Sequence, residues 1–130
     1  MRLSIITAST FLASAVLLPT SANAQAAGKW RVTGEINGKA FTVDCQFGEQ
    51  GVRLAGACID VSSEEGKTKP GKSHVLTKGM VQGQTVSWTY PTKVMIMSVD
   101  INFAGKLDGS HMRGTVSAKG REGTFSATRL

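Results

Sequence analysis

Aromatic side chains make up only 6% of the 130 residues. That scarcity excludes two readings which the net charge of +6 would otherwise invite. Single-strand nucleic-acid binders interleave aromatics with Lys and Arg on an exposed face. The aromatics here share parity with the aliphatic residues and read as core. Outer-membrane barrels want longer strands, an outward apolar band and aromatic girdles, and this chain has two Trp and one Tyr. Histidine and cysteine are equally sparse, two of each. Metal sites need three or four convergent ligands, and there is no C-x-x-C pair. His74 and His111 follow Ser73 and Ser110, but neighbours on a strand point to opposite faces. This excludes a hydroxyl–imidazole relay within either pair, and both histidines read as solvent-facing. Asp60, Glu64 and Glu65 come nearest to a calcium site. Their spacing fits no EF-hand loop, and Lys67, Lys69 and Lys72 oppose it. Gly79-Met80-Val81-Gln82-Gly83 is a strand end and turn, not a phosphate loop. The expectation is a protein without catalytic residues, metal or cofactor.

Long apolar runs are missing too, except at the start. Arg2 precedes an apolar stretch at residues 5–18, which Pro19 breaks and Ala22-Asn23-Ala24 follows. This is the pattern of a secretory signal with an A-x-A cleavage site. It is short for a membrane span, and no Cys stands at the cleavage site to carry a lipid. Residues 1–24 are therefore expected to be removed. That leaves 130 − 24 = 106 residues as one domain, residues 25–130. Arg2 leaves with the signal, so the charge becomes 14 − 9 = +5. The expected location is periplasmic or secreted, and Cys45 and Cys58 then read as a disulfide.

What is present is alternation of period two. Trp30, Val32, Gly34 and Ile36 share one face and lead into Asn37-Gly38, a strong hairpin signal. Strand candidates follow at residues 41–47, 52–59 and 74–81. Val86-Trp88-Tyr90, the stripe Met95-Met97-Val99-Ile101-Phe103, Met112-Gly114-Val116 and Phe125-Ala127-Arg129 complete the set. Turns are expected at Gln82-Gly83, Pro91-Thr92-Lys93, Leu107-Asp108-Gly109 and residues 120–123. Residues 60–72 form one long polar connection. Cys45 and Cys58 share the apolar parity of adjacent strands, as a cross-strand bridge requires. About eight short strands with tight connections predict an all-β fold, an eight-stranded up-and-down antiparallel meander barrel with one disulfide.

Gly28-Lys29-Trp30 near the start and Arg129 near the end flank this meander. With Phe103-Ala104-Gly105-Lys106-Leu107-Asp108-Gly109 and Gly123-Thr124-Phe125-Ser126-Ala127-Thr128-Arg129, they make the chain resemble small secreted bacterial lipocalin-like and avidin-like proteins of the calycin superfamily. The resemblance implies that Trp30 packs under Arg129 and plugs one barrel end. Avidin-type biotin pockets use several tryptophans. Only Trp88 remains beyond Trp30, so biotin binding does not carry over. The superfamily's small metalloprotease inhibitors insert an N-terminal segment that Gln25-Ala26-Ala27 does not match.

If Trp30 marks the closed end, four connections converge at the other. They carry Lys39, Lys67, Lys69, Lys72, Lys93, Lys119 and Arg121, a basic mouth that would attract anions. Beneath it Phe41, Val86, Trp88, Tyr90, Met95, Met97, Val99, Ile101 and Met112 are expected to line the wall. An eight-stranded interior is either just filled or holds one small ligand. The first expectation is a non-enzymatic carrier or scavenger of a small apolar or amphipathic anionic ligand. The alternative is a solid barrel whose loops engage an exported protein, such as a secreted protease. Neither involves nucleic acid, and the chain does not span a membrane once the signal is cleaved.

Overall fold

The period-two alternation folds into nine strands. They are β1 (Gly28–Ile36), β2 (Lys39–Gln50), β3 (Arg53–Ser63), β4 (Ser73–Val75), β5 (Lys78–Gln82), β6 (Thr85–Val94), β7 (Met97–Asp108), β8 (His111–Ala118) and β9 (Arg121–Arg129). The computed structural model describes residues 25–63 and 70–130. The expected signal sequence, together with Glu64, Glu65, Lys67 and Lys69, lies outside the described residues.

Every pairing is antiparallel. β1 pairs with β2 on one side and β9 on the other, and β2 pairs with β3, so the sheet closes on itself. The fold is a closed eight-stranded up-and-down barrel with an extra strand. β4 and β5 both lie along β3 and replace the single strand expected at residues 74–81. Between them Leu76 N–H donates to the Gly56 carbonyl (2.9 Å) and Thr77 N–H to that of Thr89 (2.9 Å). Closure removes the unpaired edges that an open sheet would expose.

One end is sealed. Trp30 and Arg129 are register partners across the β1–β9 seam, and the guanidinium carbon lies 4.3 Å from the indole centroid. Trp30 Nε1 donates to the Ala26 carbonyl (2.8 Å) and Arg129 Nη1 to that of Ala27 (2.6 Å). Arg129 Nη2 also bonds the Gln25 carbonyl. Residues 25–27 are thus folded under the barrel as its floor. Cys45 and Cys58 are register partners on β2 and β3 and form the disulfide (S–S 2.00 Å). Such a bond fits an oxidising environment.

The middle is solid. Trp88 stacks on Phe103 (centroids 4.8 Å apart, planes at 11°), with Phe47 at 5.0 Å and Phe125 at 5.4 Å. Val86 and Met112, both expected to line a cavity, are buried within this packing.

Two expectations are corrected. Pro91-Thr92-Lys93 is not a turn, because all three residues lie in β6 and pair with β7. Proline is tolerated there because pairing of β6 with β5 ends at Thr89, so no further neighbour is deprived of an N–H. The turn falls instead at Met95-Ile96, between the closing pair Val94 and Met97. Met95 and Met97 are therefore not wall residues. They stand 90% and 55% exposed beyond the rim.

Candidate functional site

The end opposite Trp30 is open, and its geometry follows from three hairpins that reach different heights. β1 ends at Ile36 and turns through Asn37-Gly38 into β2, which brings Ile36 and Phe41 to the rim. Inward parity on β3 runs from Cys58 to Asp60. Asp60 is held there by its own backbone, its N–H donating to the Lys72 carbonyl (2.9 Å) and its carbonyl accepting from Gly71 N–H (2.7 Å). His74 is the register partner of Cys58 and faces the same interior. Tyr90 and Ile101 are register partners on β6 and β7 and form the far wall.

These residues enclose a throat of about 110 Å³. Ile36, Phe41, Val43 and Ile101 form its apolar side, and Asp60, Ser62, Ser63, His74, Tyr90 and Thr92 its polar side. Through Ile36, Phe41, Ser63 and Ile101 the throat joins a wider mouth of about 450 Å³. Asn37, Val94, Val99 and Ala118 border that mouth together with the cations Lys39, Lys119 and Arg121. Small-molecule sites occupy about 300–1,000 Å³ and combine apolar walls with a few polar groups.

The floor of the throat carries a buried polar pair absent from the sequence reading. His74 Nε2 and Asp60 Oδ2 are 2.8 Å apart. Against an ionised carboxylate Nε2 is the donor. His74 is only 4% exposed, which corrects the expectation of a solvent-facing imidazole. Its ring stacks on Tyr90 (4.9 Å, 19°), and Tyr90 packs on Phe103 (5.7 Å). A continuous pile of rings, His74, Tyr90, Phe103 and Trp88, thus links the throat to the core. Asp60 points into this site and bonds His74, not toward a surface calcium site. Among the described residues no group of three or more His, Cys, Asp or Glu converges as a metal site. His111 remains exposed at the start of β8.

Burial pushes the Tyr90 phenol well above its ordinary pKa, and the nearby Asp60 charge adds to the effect. A group whose folded pKa is raised contributes stability that is intact below its unfolded pKa. That stability is lost as pH rises above it, at about 1.4 kcal/mol per pH unit from about pH 10. Tyr90 is the sole tyrosine, so tyrosinate absorbance reports this one site. The expected outcome is phenolate appearing only together with alkaline unfolding. Tyr90→Phe should flatten the fall in stability above pH ~10. Free titration of Tyr90 in the folded protein would contradict its burial.

The remaining expected cations are dispersed. Lys93 lies on β6 with its side chain exposed, and Lys72 is exposed beside Gly71. The mouth proper is bordered by Lys39, Lys119 and Arg121, while Glu35, Asp100 and Glu122 lie at the same end. Of the expected wall, Phe41, Tyr90 and Ile101 line the throat. Trp88, Val86 and Met112 lie deeper in packed core, and Met95 and Met97 lie outside. Val43, Asp60, Ser62 and His74 were not foreseen as lining residues.

No protein-family model and no curated protein sequence matches the chain. Among solved structures, a redesigned beta barrel, mFAP1, bound to DFHBI, is similar at 18% identity and a TM-score of 0.63. The match covers 84% of this chain and all of that one (100%). At this identity the likeness is one of fold. No helix among the described residues is long and apolar enough to cross a membrane.

Proposed function

We propose that this protein is a non-catalytic, exported binding barrel. It takes a compact amphipathic anion at its open mouth, as a carrier or scavenger. The observation that carries this reading is the contiguity of an apolar throat with a mouth bordered by Lys39, Lys119 and Arg121, above a sealed floor. The ligand's apolar body would rest on Ile36, Phe41 and Ile101, with its anionic group at the rim. Asp60 and the Tyr90 hydroxyl would offer polar contacts beneath. The similar barrel mFAP1 is itself bound to DFHBI, which supports small-molecule binding as a use of this architecture. Membership of the calycin superfamily, and a periplasmic or secreted location, belong to the same reading. The Trp30–Arg129 plug and the disulfide support them.

The Trp88–Phe103 stack closes the barrel below the throat, so a long chain cannot thread through it. Titration with carboxylates of increasing length, followed by calorimetry, should show affinity that stops rising once the throat is full. Lys119→Glu with Arg121→Glu should weaken binding about tenfold, equivalent to about 1.4 kcal/mol. Absence of saturable binding by every member of the series, with no ligand retained through purification, would sink the proposal. The solid middle also supports the second reading, a barrel that engages an exported protein through its surface. A partner recovered by wild-type protein while no small ligand binds would favour it.

A further inference from the structure

The β6–β7 hairpin outgrows the barrel. Pairing of β6 with β5 stops at Thr89, and pairing of β7 with β8 starts at Asn102. From Tyr90 and Ile101 upward the two strands pair only with each other, through five rungs that end at Val94 and Met97. Five rungs of this ribbon at about 3.4 Å per step span roughly 14 Å, with Tyr90 and Val99 still buried at their base, so that only the last rungs and the turn stand in the open. The ribbon's tip is apolar. Val94 is 44% exposed, Met95 90%, Ile96 96% and Met97 55%. Soluble proteins seldom gather large apolar residues at a protruding tip unless something covers it.

Two further observations concern the same tip. Met95 adopts φ 61°, a left-handed conformation for which two-residue hairpins normally recruit Gly, Asn or Asp. A flexible apolar side chain therefore occupies a place where backbone preference favours a small or polar residue, as happens where function holds a strained position. Cations flank it. Lys93 is exposed one rung below the closing pair, and Lys119 Nζ reaches to 3.9 Å from Met97 Sδ. The carboxylate on the ribbon, Asp100, lies opposite Pro91, three rungs below the tip. Apolar side chains ahead of lysines whose long stems can extend toward headgroups make up the chemistry of an interfacial anchor.

We propose that the β6–β7 tip docks on an anionic lipid surface, with Met95 and Ile96 entering the headgroup–acyl boundary and Lys93 and Lys119 meeting lipid phosphates. The occupant is a bilayer surface because the tip is convex and small, with cations beside an apolar end. A protein partner or second copy would present apolar surface but has no need of the flanking positive charge. Lys119 and Val94 also border the mouth, whereas Met95 and Ile96 line neither the throat nor the mouth, so substitution of these two tests the tip apart from ligand binding.

The test is co-sedimentation of the full chain with vesicles of phosphatidylcholine alone and with about one-third phosphatidylglycerol. It is run in about 0.05 M and about 0.5 M salt, which differ in screening length. Binding is expected to the anionic vesicles and to weaken with salt. Lys93→Glu with Lys119→Glu should lower partitioning about fivefold for each basic charge lost. Met95→Ser with Ile96→Ser should lower it about tenfold or more through lost apolar burial. An Ile96→Trp variant should show an emission blue shift only with anionic vesicles, since both native tryptophans are buried. Circular dichroism of each variant checks that the barrel is intact. Three results overturn the proposal. One is no binding to anionic vesicles at low salt, and another is binding indifferent to Met95→Ser/Ile96→Ser. The third is a dimer in solution that this double substitution converts to monomer, which would make the occupant a second copy.

Discussion

Trp88→Ala lowers the unfolding free energy by about 3–5 kcal/mol, a large part of the 5–15 kcal/mol typical of a small domain. The indole is the hub of the solid middle, stacked on Phe103 and flanked by Phe47 and Phe125. Its removal leaves a void that the sheet cannot collapse to fill, because β6 is held at Trp88 on both sides, by Gly79 of β5 and Phe103 of β7. Trp88→Phe should behave differently. Trp88 Nε1 is buried without a hydrogen-bond partner, so losing it forfeits no bond and relieves an uncompensated desolvation. The phenylalanine variant should therefore lose less than about 2 kcal/mol. Urea denaturation followed by far-ultraviolet circular dichroism measures both. Equal losses for the two variants would mean that the N–H, not the ring volume, matters.

Gly123→Ala should be at least as damaging, although it adds one methyl group. Gly123 is the β9 partner of Ile36 at the mouth end of the seam, and a Cβ there would run into the Glu35 backbone carbonyl. Neither strand can yield without opening the β1–β9 ladder that closes the barrel. The expected loss exceeds about 3 kcal/mol, which lowers the melting temperature by more than about 12 °C. Gly120→Ala is the control. It adds a methyl into open space at a positive φ of 71°, and should cost only about 1 kcal/mol. If the two variants melt together, the close approach at the seam carries no consequence.

Much of the architecture could be read from residue order because local chemistry and global fold agree. Strict alternation gives strands, and Asn37-Gly38 gives the first hairpin. The shared parity of Cys45 and Cys58 places them on one face, where they are register partners. The site was harder to read for two physical reasons. Proline at position 91 signals a turn in isolation. Here it sits beyond the end of the β5–β6 ladder, so no strand paired there needs its N–H, and the β6–β7 ladder runs on to Met95-Ile96, which bear no turn signature. That four-residue shift turns expected wall methionines into an exposed tip. The second reason is that the Asp60–His74 pair spans a sequence separation of 14. Half of it was legible, since inward parity continues from Cys58 to Asp60. The other half depends on the β3–β4 register, which the polar residues between them do not encode.

The floor plug has a consequence for how the molecule comes together. Nearly all ladders join strands that are close along the chain, and such hairpins zip early because little loop entropy is lost. The Arg129 bonds to the Ala27 and Gln25 carbonyls instead link positions 102 and 104 apart. The clasp is therefore the contact of highest sequence separation, and it draws on the last strand to be synthesised. Oxidation of Cys45 and Cys58 needs only β2 and β3, and so can precede it. Until the clasp forms, β1 and β9 would each present an unpaired edge, the feature most open to joining another copy of the chain.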